Sequence, residues 1–154
     1  MDEQTKSHIL LTALERRYDA VERIRERVYA ISIWTLGVFL GLSGLIVQGD
    51  LHPGLPAKVF LTAGAVFALA AILFYIRDLE KGFRNQFRVV VQIEELLGFY
   101  EEGFFSPGKA LYPPEWTRTG TRAAQGRFFT TTYLLLSLGA LVLVAAIVLS
   151  GVLF

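Results

Sequence analysis

The chain has 154 residues, of which 53% are hydrophobic, and a formal net charge of +1. A soluble domain of this size buries too little of its surface to hide so many apolar side chains, so the composition excludes an ordinary soluble protein and indicates contact with lipid. The near-zero net charge gives no reason to expect nucleic acid as a partner. The absence of cysteine excludes disulfides, thiolate catalysis and Cys-based metal sites.

Residues 1–27 are predicted to form a cytoplasmic amphipathic helix. They are too evenly charged for a signal peptide, so we expect the chain to insert uncleaved. Apolar residues recur there every three or four positions, which is typical of one helical stripe. The stripe consists of Leu10, Leu14, Val21, Ile24, Val28 and Ile31. A heptad frame fits nearly as well and consists of Leu11, Leu14, Tyr18, Val21 and Val28. Either frame predicts a partner helix.

Residues 28–76 are predicted to form a transmembrane hairpin. Its first leg, 28–47, has twenty residues without a charge, the length needed to cross about 30 Å of hydrocarbon at about 1.5 Å per residue. The second leg covers 57–76, with Lys58 among the headgroups, and the Gly- and Pro-rich sequence QGDLHPGLP between the legs marks a turn. Since no Pro or Gly separates the first leg from the segment before it, one continuous helix is predicted over 5–47.

The predicted spans carry small residues at spacings that favour helix packing. They are Gly37, Gly41 and Gly44 in the first span and Ala63, Gly64, Ala68 and Ala71 in the second. A weaker stripe in the third span consists of Gly139, Ala146 and Ser150. Small side chains let another helix approach closely. That helix is either the other leg of the hairpin or part of a second copy in an oligomer interface, and the sequence leaves both open.

Residues 77–101 are predicted to continue the second span as a cytoplasmic helix. With the first helix it forms either a stalk beneath the membrane or a pair of helices lying on the membrane surface. The residues expected to pack in the stalk are Leu14, Val21, Ile24, Phe83, Phe87, Val90 and Leu97. The neighbouring carboxylates Glu94 and Glu95 point about 100° apart on a helix. We expect both to be solvated rather than to act as an acid–base pair.

Residues 102–127 are predicted to form an aromatic loop rich in Pro and Gly, long enough to return along the stalk to the membrane. The loop residues expected to pack along the stalk are Phe104, Phe105, Leu111, Tyr112 and Trp116. Residues 128–154 are predicted to form a third transmembrane helix, because they include sixteen Leu, Ile, Val and Phe residues.

The distribution of basic residues predicts the orientation. Six Lys and Arg precede the first span and eight lie between residues 77 and 127, whereas the turn between the first two spans has only Lys58. The positive-inside rule then places the N terminus and the long loop in the cytoplasm and the C terminus at the outer face. The predicted fold class is an all-α membrane protein with three transmembrane helices, the first two extended into a cytoplasmic helical stalk. The preference for Arg over Lys is a hint of a GC-rich bacterial genome. The expected location is the bacterial inner membrane.

The chain has no recognisable catalytic or cofactor motif. His8 is placed in the cytoplasmic helix and His52 in the outer turn, so the two cannot meet in a triad or a two-His metal site of one protomer. No phosphate-binding glycine loop, zinc motif or nucleotide fingerprint occurs. The spans hold no ionisable residue between their edges, whereas coupled transporters usually need one. We therefore expect a non-enzymatic protein with no cofactor and no metal.

The order of elements over residues 5–100 resembles small bacterial inner-membrane proteins that join a cytoplasmic helical segment to a transmembrane hairpin. These are the RipA-like octameric membrane proteins and the SLATT-type effectors of antiphage systems. In the SLATT-like group the membrane part is thought to form a pore that depolarises the cell when a cytoplasmic sensor signals, and the resemblance implies the same activity here. The third span and the aromatic loop depart from the two-span arrangement.

Two functions from different classes follow from these predictions. The first is a homo-oligomeric pore or channel-like effector controlled through its cytoplasmic stalk. The second is a membrane scaffold or adaptor that uses Arg16, Arg17, Arg23 and the aromatic loop to hold a cytoplasmic protein partner. The expected partners are the lipid bilayer and further copies of the chain, with a cytoplasmic protein added for the adaptor.

Overall fold

A computed structural model describes residues 2–49, 53–104, 107–118 and 127–150. These residues form three α-helices: α1 over Glu3–Val47, α2 over Leu55–Leu96 and α3 over Arg127–Leu149. A short 3-10 turn, Pro114–Arg118, lies between α2 and α3. No β-strand occurs within the described ranges. The prediction of an all-α protein is confirmed.

Helix α1 is one continuous helix of 45 residues, as predicted from the lack of Pro and Gly before its first span. Glu3 lies in its first turn, where a negative charge is favourable beside the helix dipole. The helix ends at Val47 because Gly49 takes a left-handed φ of 82°. The Gly49 N–H then bonds to the carbonyl of Ile46 at 3.3 Å, which is a common way for a helix to end.

Burial along α1 distinguishes the two predicted frames. Leu14, Val21 and Val28 are buried, and the remaining members of the first stripe are half-buried. In contrast, Leu11 and Tyr18, which belong to the heptad frame alone, are both exposed. The first stripe therefore describes the packed face of α1.

Helix α2 runs unbroken for 42 residues through Gly82, but it ends at Leu96 rather than continuing to residue 101 as predicted. Gly98 takes a left-handed φ of 74°. Its N–H bonds to the carbonyl of Glu95 at 3.0 Å, and the Phe99 N–H bonds to the carbonyl of Glu94 at 3.1 Å. This pair of bonds is the Schellman motif that closes many helices at a glycine. The chain therefore turns sharply just after α2.

Helix α3 begins at Arg127 and covers the described part of the predicted third span. Its buried residues follow a spacing of three or four and form one stripe: Phe129, Thr132, Leu136, Gly139, Ala140, Leu143 and Ile147. Residues 151–154, which were predicted to complete this span, lie outside the described residues, as does the end of the loop at 119–126.

All three α-helices are long and apolar enough to span a membrane, which suggests a membrane protein. Most of their apolar surface is exposed. In α2, 11% of the most apolar 18-residue window is buried, against 39% in α3. The exposed side chains match what lipid or a further protein surface would cover.

The described residues divide into two compact units. The charged unit draws on Met1–Glu26 and Leu79–Gly126, and the apolar unit draws on Arg27–Asp78 and Arg127–Phe154. Helices α1 and α2 contribute to both units, and neither helix is broken where one unit gives way to the other.

The core of the apolar unit joins all three helices. Its buried members are Phe39, Ile46, Ala65, Ala140, Leu143 and Ile147. Gly139 lets α1 come close to α3, because a Cβ added there would lie 2.7 Å from Cδ2 of Leu36. At one end of the unit Lys58 Nζ donates to the carbonyl of Val148 at 3.4 Å.

Buried hydroxyls in the apolar unit bond within their own helix. Ser43 Oγ donates to the carbonyl of Phe39 at 2.6 Å, and Thr132 Oγ1 donates to the carbonyl of Phe128 at 2.9 Å. In lipid this local bond satisfies a polar side chain without help from a neighbouring helix.

The core of the charged unit is smaller. Leu14 of α1 packs with Val90 and Ile93 of α2, and partly buried apolar residues surround them: Leu10, Ala13, Val89, Leu97 and Phe99. Gly82 lies beside Ile24, with 3.9 Å between an added Cβ and Cδ1 of Ile24. The two helices therefore pack along the first stripe of α1.

Candidate functional site

A buried carboxylate lies at the centre of the charged unit. Glu94 is only 4% exposed, so the prediction that both Glu94 and Glu95 are solvated was wrong for Glu94, while Glu95 is exposed. Glu94 follows Phe87 by seven residues and Val90 by four, which puts it on the apolar stripe of α2 that faces α1. Its position on the stripe, rather than its charge, determines its burial.

Two tyrosines donate hydrogen bonds to Glu94. The Tyr18 hydroxyl, from α1, donates to Oε1, and the Tyr100 hydroxyl donates to Oε2 at 2.5 Å. Tyr100 reaches back to Glu94 because the chain reverses at Gly98 directly after α2. Donors on both oxygens offset much of the cost of removing a carboxylate from water.

The environment of the two tyrosines keeps their hydroxyls protonated. Burial raises the pKa of Tyr18 above its ordinary value of 10.0, and hydrogen bonding to Glu94 together with the charge of Glu94 raises it further. Burial and the same carboxylate raise the pKa of Tyr100. Because a phenolate beside a carboxylate is unfavourable, both side chains remain donors throughout the physiological pH range.

The loop after α2 adds aromatic rings beside this carboxylate. The Tyr112 N–H donates to the carbonyl of Phe99 at 2.9 Å, which fixes the loop against the end of α2. The Tyr112 ring meets Phe99 edge to face at a centroid distance of 5.4 Å and meets Tyr100 at 6.0 Å. The ring of Trp116, carried by the 3-10 turn, lies 5.5 Å from that of Tyr112.

These side chains enclose an open cleft of about 340 Å³, which we call the Glu94 cleft. It is lined by Tyr18, Phe87, Val91, Glu94, Tyr100, Tyr112 and Trp116. Trp116 is 53% exposed, so solvent reaches the cleft. A carboxylate lies at the bottom of the cleft and aromatic rings form its walls. This arrangement is suited to binding a ligand by charge and ring contacts.

The Glu94 cleft contains few groups for metal or acid–base chemistry. Within the described ranges, no three His, Cys, Asp or Glu side chains are grouped so as to hold a metal ion. His8 is exposed on α1, and His52 lies outside the described residues. Glu94 forms no ion pair with the Lys and Arg side chains that the structure describes, whereas Glu80 lies 3.7 Å from Arg84.

The predicted stalk-packing residues all lie in the charged unit. Leu14, Val21 and Val90 are buried. Ile24, Phe83, Phe87 and Leu97 are half-buried, with the rings of Phe83 and Phe87 5.0 Å apart. Of the loop residues expected beside them, Tyr112 and Trp116 line the Glu94 cleft. Phe104 packs over Gly98, Leu111 is exposed, and Phe105 lies outside the described residues.

The predicted small-residue faces of the first two spans have little contact within one copy. A Cβ added to Gly37, Gly41, Gly44 or Gly64 would meet no atom within 4 Å. Ala63 and Ala71 are exposed, and Ala68 is half-buried. The close approach between helices occurs instead at Gly139. The role of the other small residues in an oligomer interface stays a prediction.

The Glu94 cleft was not predicted from the sequence. The signal that could have identified Glu94 is a charged residue on an apolar helical stripe. Glu80 shows the same signal, because it is also buried and lies fourteen residues earlier on the same face of α2. The partnership with Tyr18 gives no local signal, because the two residues are 76 positions apart.

The fold and the cleft together define a class: an all-α protein with three candidate membrane spans and a separate unit that holds an acidic aromatic cleft. No family model, no curated protein and no solved structure matches the chain.

Proposed function

We propose that the chain is a homo-oligomeric integral membrane protein of the bacterial inner membrane that acts as a pore or channel-like effector. The charged unit lies in the cytoplasm, with the N terminus inside and the C terminus at the outer face, because the segments rich in Lys and Arg flank the spans on that side. The extensions of α1 and α2 beyond the membrane form the stalk through which the pore is controlled.

The observation that carries this proposal is the contrast between buried hydroxyls and exposed glycines in the apolar unit. Ser43 and Thr132 bond to carbonyls of their own helices, so they offer no chain of polar groups through one copy. Gly37, Gly41 and Gly64 are exposed, with no neighbour near an added Cβ. A conducting path therefore needs several copies, and these glycines offer faces where copies approach closely. An apolar path between them would gate by dewetting.

Reconstitution of the full chain tests this proposal. Its mass in nanodiscs should correspond to a ring of several copies, and the same preparation should conduct ions in planar bilayers. A monomer or dimer that conducts no current across the accessible voltages would contradict the pore.

A matched pair of variants tests the glycine faces. Gly41→Leu should break the ring, because a large side chain would block the approach of another copy, while the fold of one copy is unaffected since no atom of that copy lies nearby. Leu42→Phe, at an exposed position about 100° around α1 from Gly41, should leave the ring intact. Equal assembly of both variants would exclude this face from the interface.

A second candidate function, the adaptor, is favoured by a surface of α1. His8, Thr12, Arg16 and Arg17 line a shallow groove on that helix, beside the exposed apolar side chain of Ile9. Exposed cations next to apolar area fit an acidic amphipathic segment of a partner protein. Arg23, the third predicted contact, donates to the carbonyl of Asp19 at 3.1 Å.

Pull-down with the full chain distinguishes the adaptor from the pore. An Arg16→Glu and Arg17→Glu double variant should lose a partner captured by the parent chain, while conductance, if present, should remain. A chain that captures no partner and conducts ions would exclude the adaptor.

A further inference from the structure

We propose that the Glu94 cleft binds a methylated ammonium group, such as the trimethylammonium of choline. This inference goes beyond the proposed function, because it assigns a ligand class to a cleft that lies wholly within the charged unit. It holds whether or not the oligomer conducts ions.

The cleft carries a negative charge that no described Lys or Arg side chain pairs. Glu94 is buried, and the hydroxyls of Tyr18 and Tyr100 satisfy one lone pair on each of its oxygens. Neutral donors do not cancel a negative charge, and buried carboxylates are usually paired with a cation. Glu94 forms no such pair with the described residues of the chain. A cation from solution would supply that pair.

Aromatic rings form most of the lining of the cleft. The faces of Trp and Tyr rings attract cations, and Trp does so most strongly. The Tyr112 and Trp116 rings are inclined by 38° to each other, and Tyr100 and Tyr112 by 62°. Rings inclined in this way do not lie in one plane, so together they form a curved wall, which suits a rounded cation better than a flat one. Tyr18 and Phe87 also line the cleft beside Glu94.

The lining of the cleft favours some cations over others. Its side-chain oxygens are those of Glu94 and three tyrosine hydroxyls, two of which already donate to Glu94, and the rest is ring and aliphatic carbon. The walls therefore offer mainly ring surface and not a complete shell of acceptor oxygens. Small hydrated ions and metal ions need such a shell, and the described residues contain no group of three metal ligands. A methylated ammonium is weakly hydrated and needs only charge and ring contacts. The cleft volume of about 340 Å³ accommodates it.

A direct binding measurement uses the full chain in an uncharged maltoside detergent. Trp34→Phe removes the only other tryptophan, at a position that is 76% exposed, and leaves Trp116 as the sole tryptophan, which can be excited apart from the tyrosines. Choline should quench or shift its emission with saturation. Sodium chloride at equal ionic strength and 3,3-dimethylbutan-1-ol, the neutral analogue of choline, should not.

Matched variants connect binding to the carboxylate. Glu94→Gln should weaken choline binding by roughly tenfold or more, because a charge interaction is lost in a partly shielded site. Glu95→Gln, at the exposed neighbouring residue, should bind like the parent. Trp116→Leu alters an exposed ring and leaves the core in place. By calorimetry it should weaken binding by roughly threefold to tenfold.

The outcomes decide the proposal. No saturable response, an equal response to the neutral analogue, or unchanged binding by both Glu94→Gln and Trp116→Leu would overturn it. Should Glu94→Gln fail to fold, as judged by circular dichroism, the result with Trp116→Leu decides alone. Competition by phosphatidylcholine over phosphatidylglycerol in nanodiscs would identify a lipid headgroup as the source of the cation. Equal binding in both lipids would identify a soluble one.

Discussion

The two units of this protein satisfy their buried polar groups in different ways. In the apolar unit, Ser43 and Thr132 bond to the carbonyl four residues earlier in the same helix. In the charged unit, Tyr18 of α1 bonds to Glu94 of α2, and Arg17 Nη1 donates to Gln86 Oε1 at 2.7 Å. A bond within one helix survives when neighbouring helices move, whereas a bond between elements fixes their register. The comparison indicates tolerant packing in the spans and specific packing in the charged unit.

The largest effect is expected where α1 and α3 meet. Gly139→Leu should destabilise the protein by about 3 kcal/mol, because a whole leucine side chain would have to enter space that the side chains of Leu36 and Phe39 fill, and overpacking costs about 1–3 kcal/mol. Unfolding in mixed detergent micelles measures the change. Gly41→Leu, with open space around it, is the control and should leave the stability of one copy unchanged or raise it by up to about 1 kcal/mol, because leucine favours a helix more than glycine does. Equal losses of unfolding free energy in the two variants would show that packing around Gly139 is no tighter than packing around Gly41.

The next effect tests the specific packing of the charged unit. Glu94→Ala should lower the free energy of unfolding by about 2 kcal/mol, because the hydroxyls of Tyr18 and Tyr100 lose their acceptor. Hydrogen exchange of the amides around Tyr18 should quicken. The neighbouring Glu95→Ala, at an exposed position, should change stability by less than about 0.5 kcal/mol. Unchanged exchange in Glu94→Ala would mean that the two helices hold together without this contact.

A smaller effect is expected at the end of α2. Gly98→Ala should cost about 1 kcal/mol, because a left-handed φ of 74° is unfavourable for alanine, and the new Cβ would lie 3.2 Å from the Phe104 ring. Gly64→Ala is the matched control, since Gly64 is helical and open. It should be neutral or stabilising by up to about 1 kcal/mol. Thermal unfolding distinguishes the two, and a stabilising Gly98→Ala would contradict the role assigned to this turn.

The smallest effect is a dependence on alkaline pH. The folded protein raises the pKa of Tyr18 and Tyr100 above the ordinary value of 10.0. Above about pH 10 the unfolded chain therefore releases protons that the folded chain retains, and stability falls as the pH rises. Below that pH the contribution is fully present. Absorbance of phenolate should show Tyr18 and Tyr100 ionising above the ordinary tyrosine pKa of 10.0.

A variant gives this pH dependence a control. Tyr18→Phe with Tyr100→Phe should flatten the loss of stability above about pH 10, since no raised pKa remains at either position. Trp34→Phe, at an exposed position, keeps both tyrosines and should leave the slope as in the parent. An equally steep loss of stability in the double variant would contradict the environment described for Glu94.

Periodicity and length were enough to predict the three helices and the unbroken α1, and they reduced the packed face of α1 to two frames, between which burial decides. These features depend on residues close in sequence, so local patterns contain them. The end of α2 was predicted too late because Gly98 closes the helix through its backbone conformation, which apolar spacing does not reveal.

The Glu94 cleft depends on distant residues and was missed for that reason. Tyr18 and Tyr112 join Glu94 only after α1, α2 and the loop have packed, and carboxylates are mostly exposed in proteins. Gly37, Gly41, Gly44 and Gly139 were all predicted as small residues that favour helix contacts, and of these four Gly139 has a side chain of another helix near it within one copy. Whether the other three contact a second copy stays a prediction.

Lys58, in the first turn of α2, contacts Val148 near the end of α3. The last carbonyls of a helix have no partner within it and attract positive charge. By reaching the carbonyl of Val148 at 3.4 Å, the ammonium of Lys58 serves as a cap for α3, supplied by a residue ninety positions earlier in the chain. Lys58 thus joins the C-terminal end of α3 to the N-terminal end of α2.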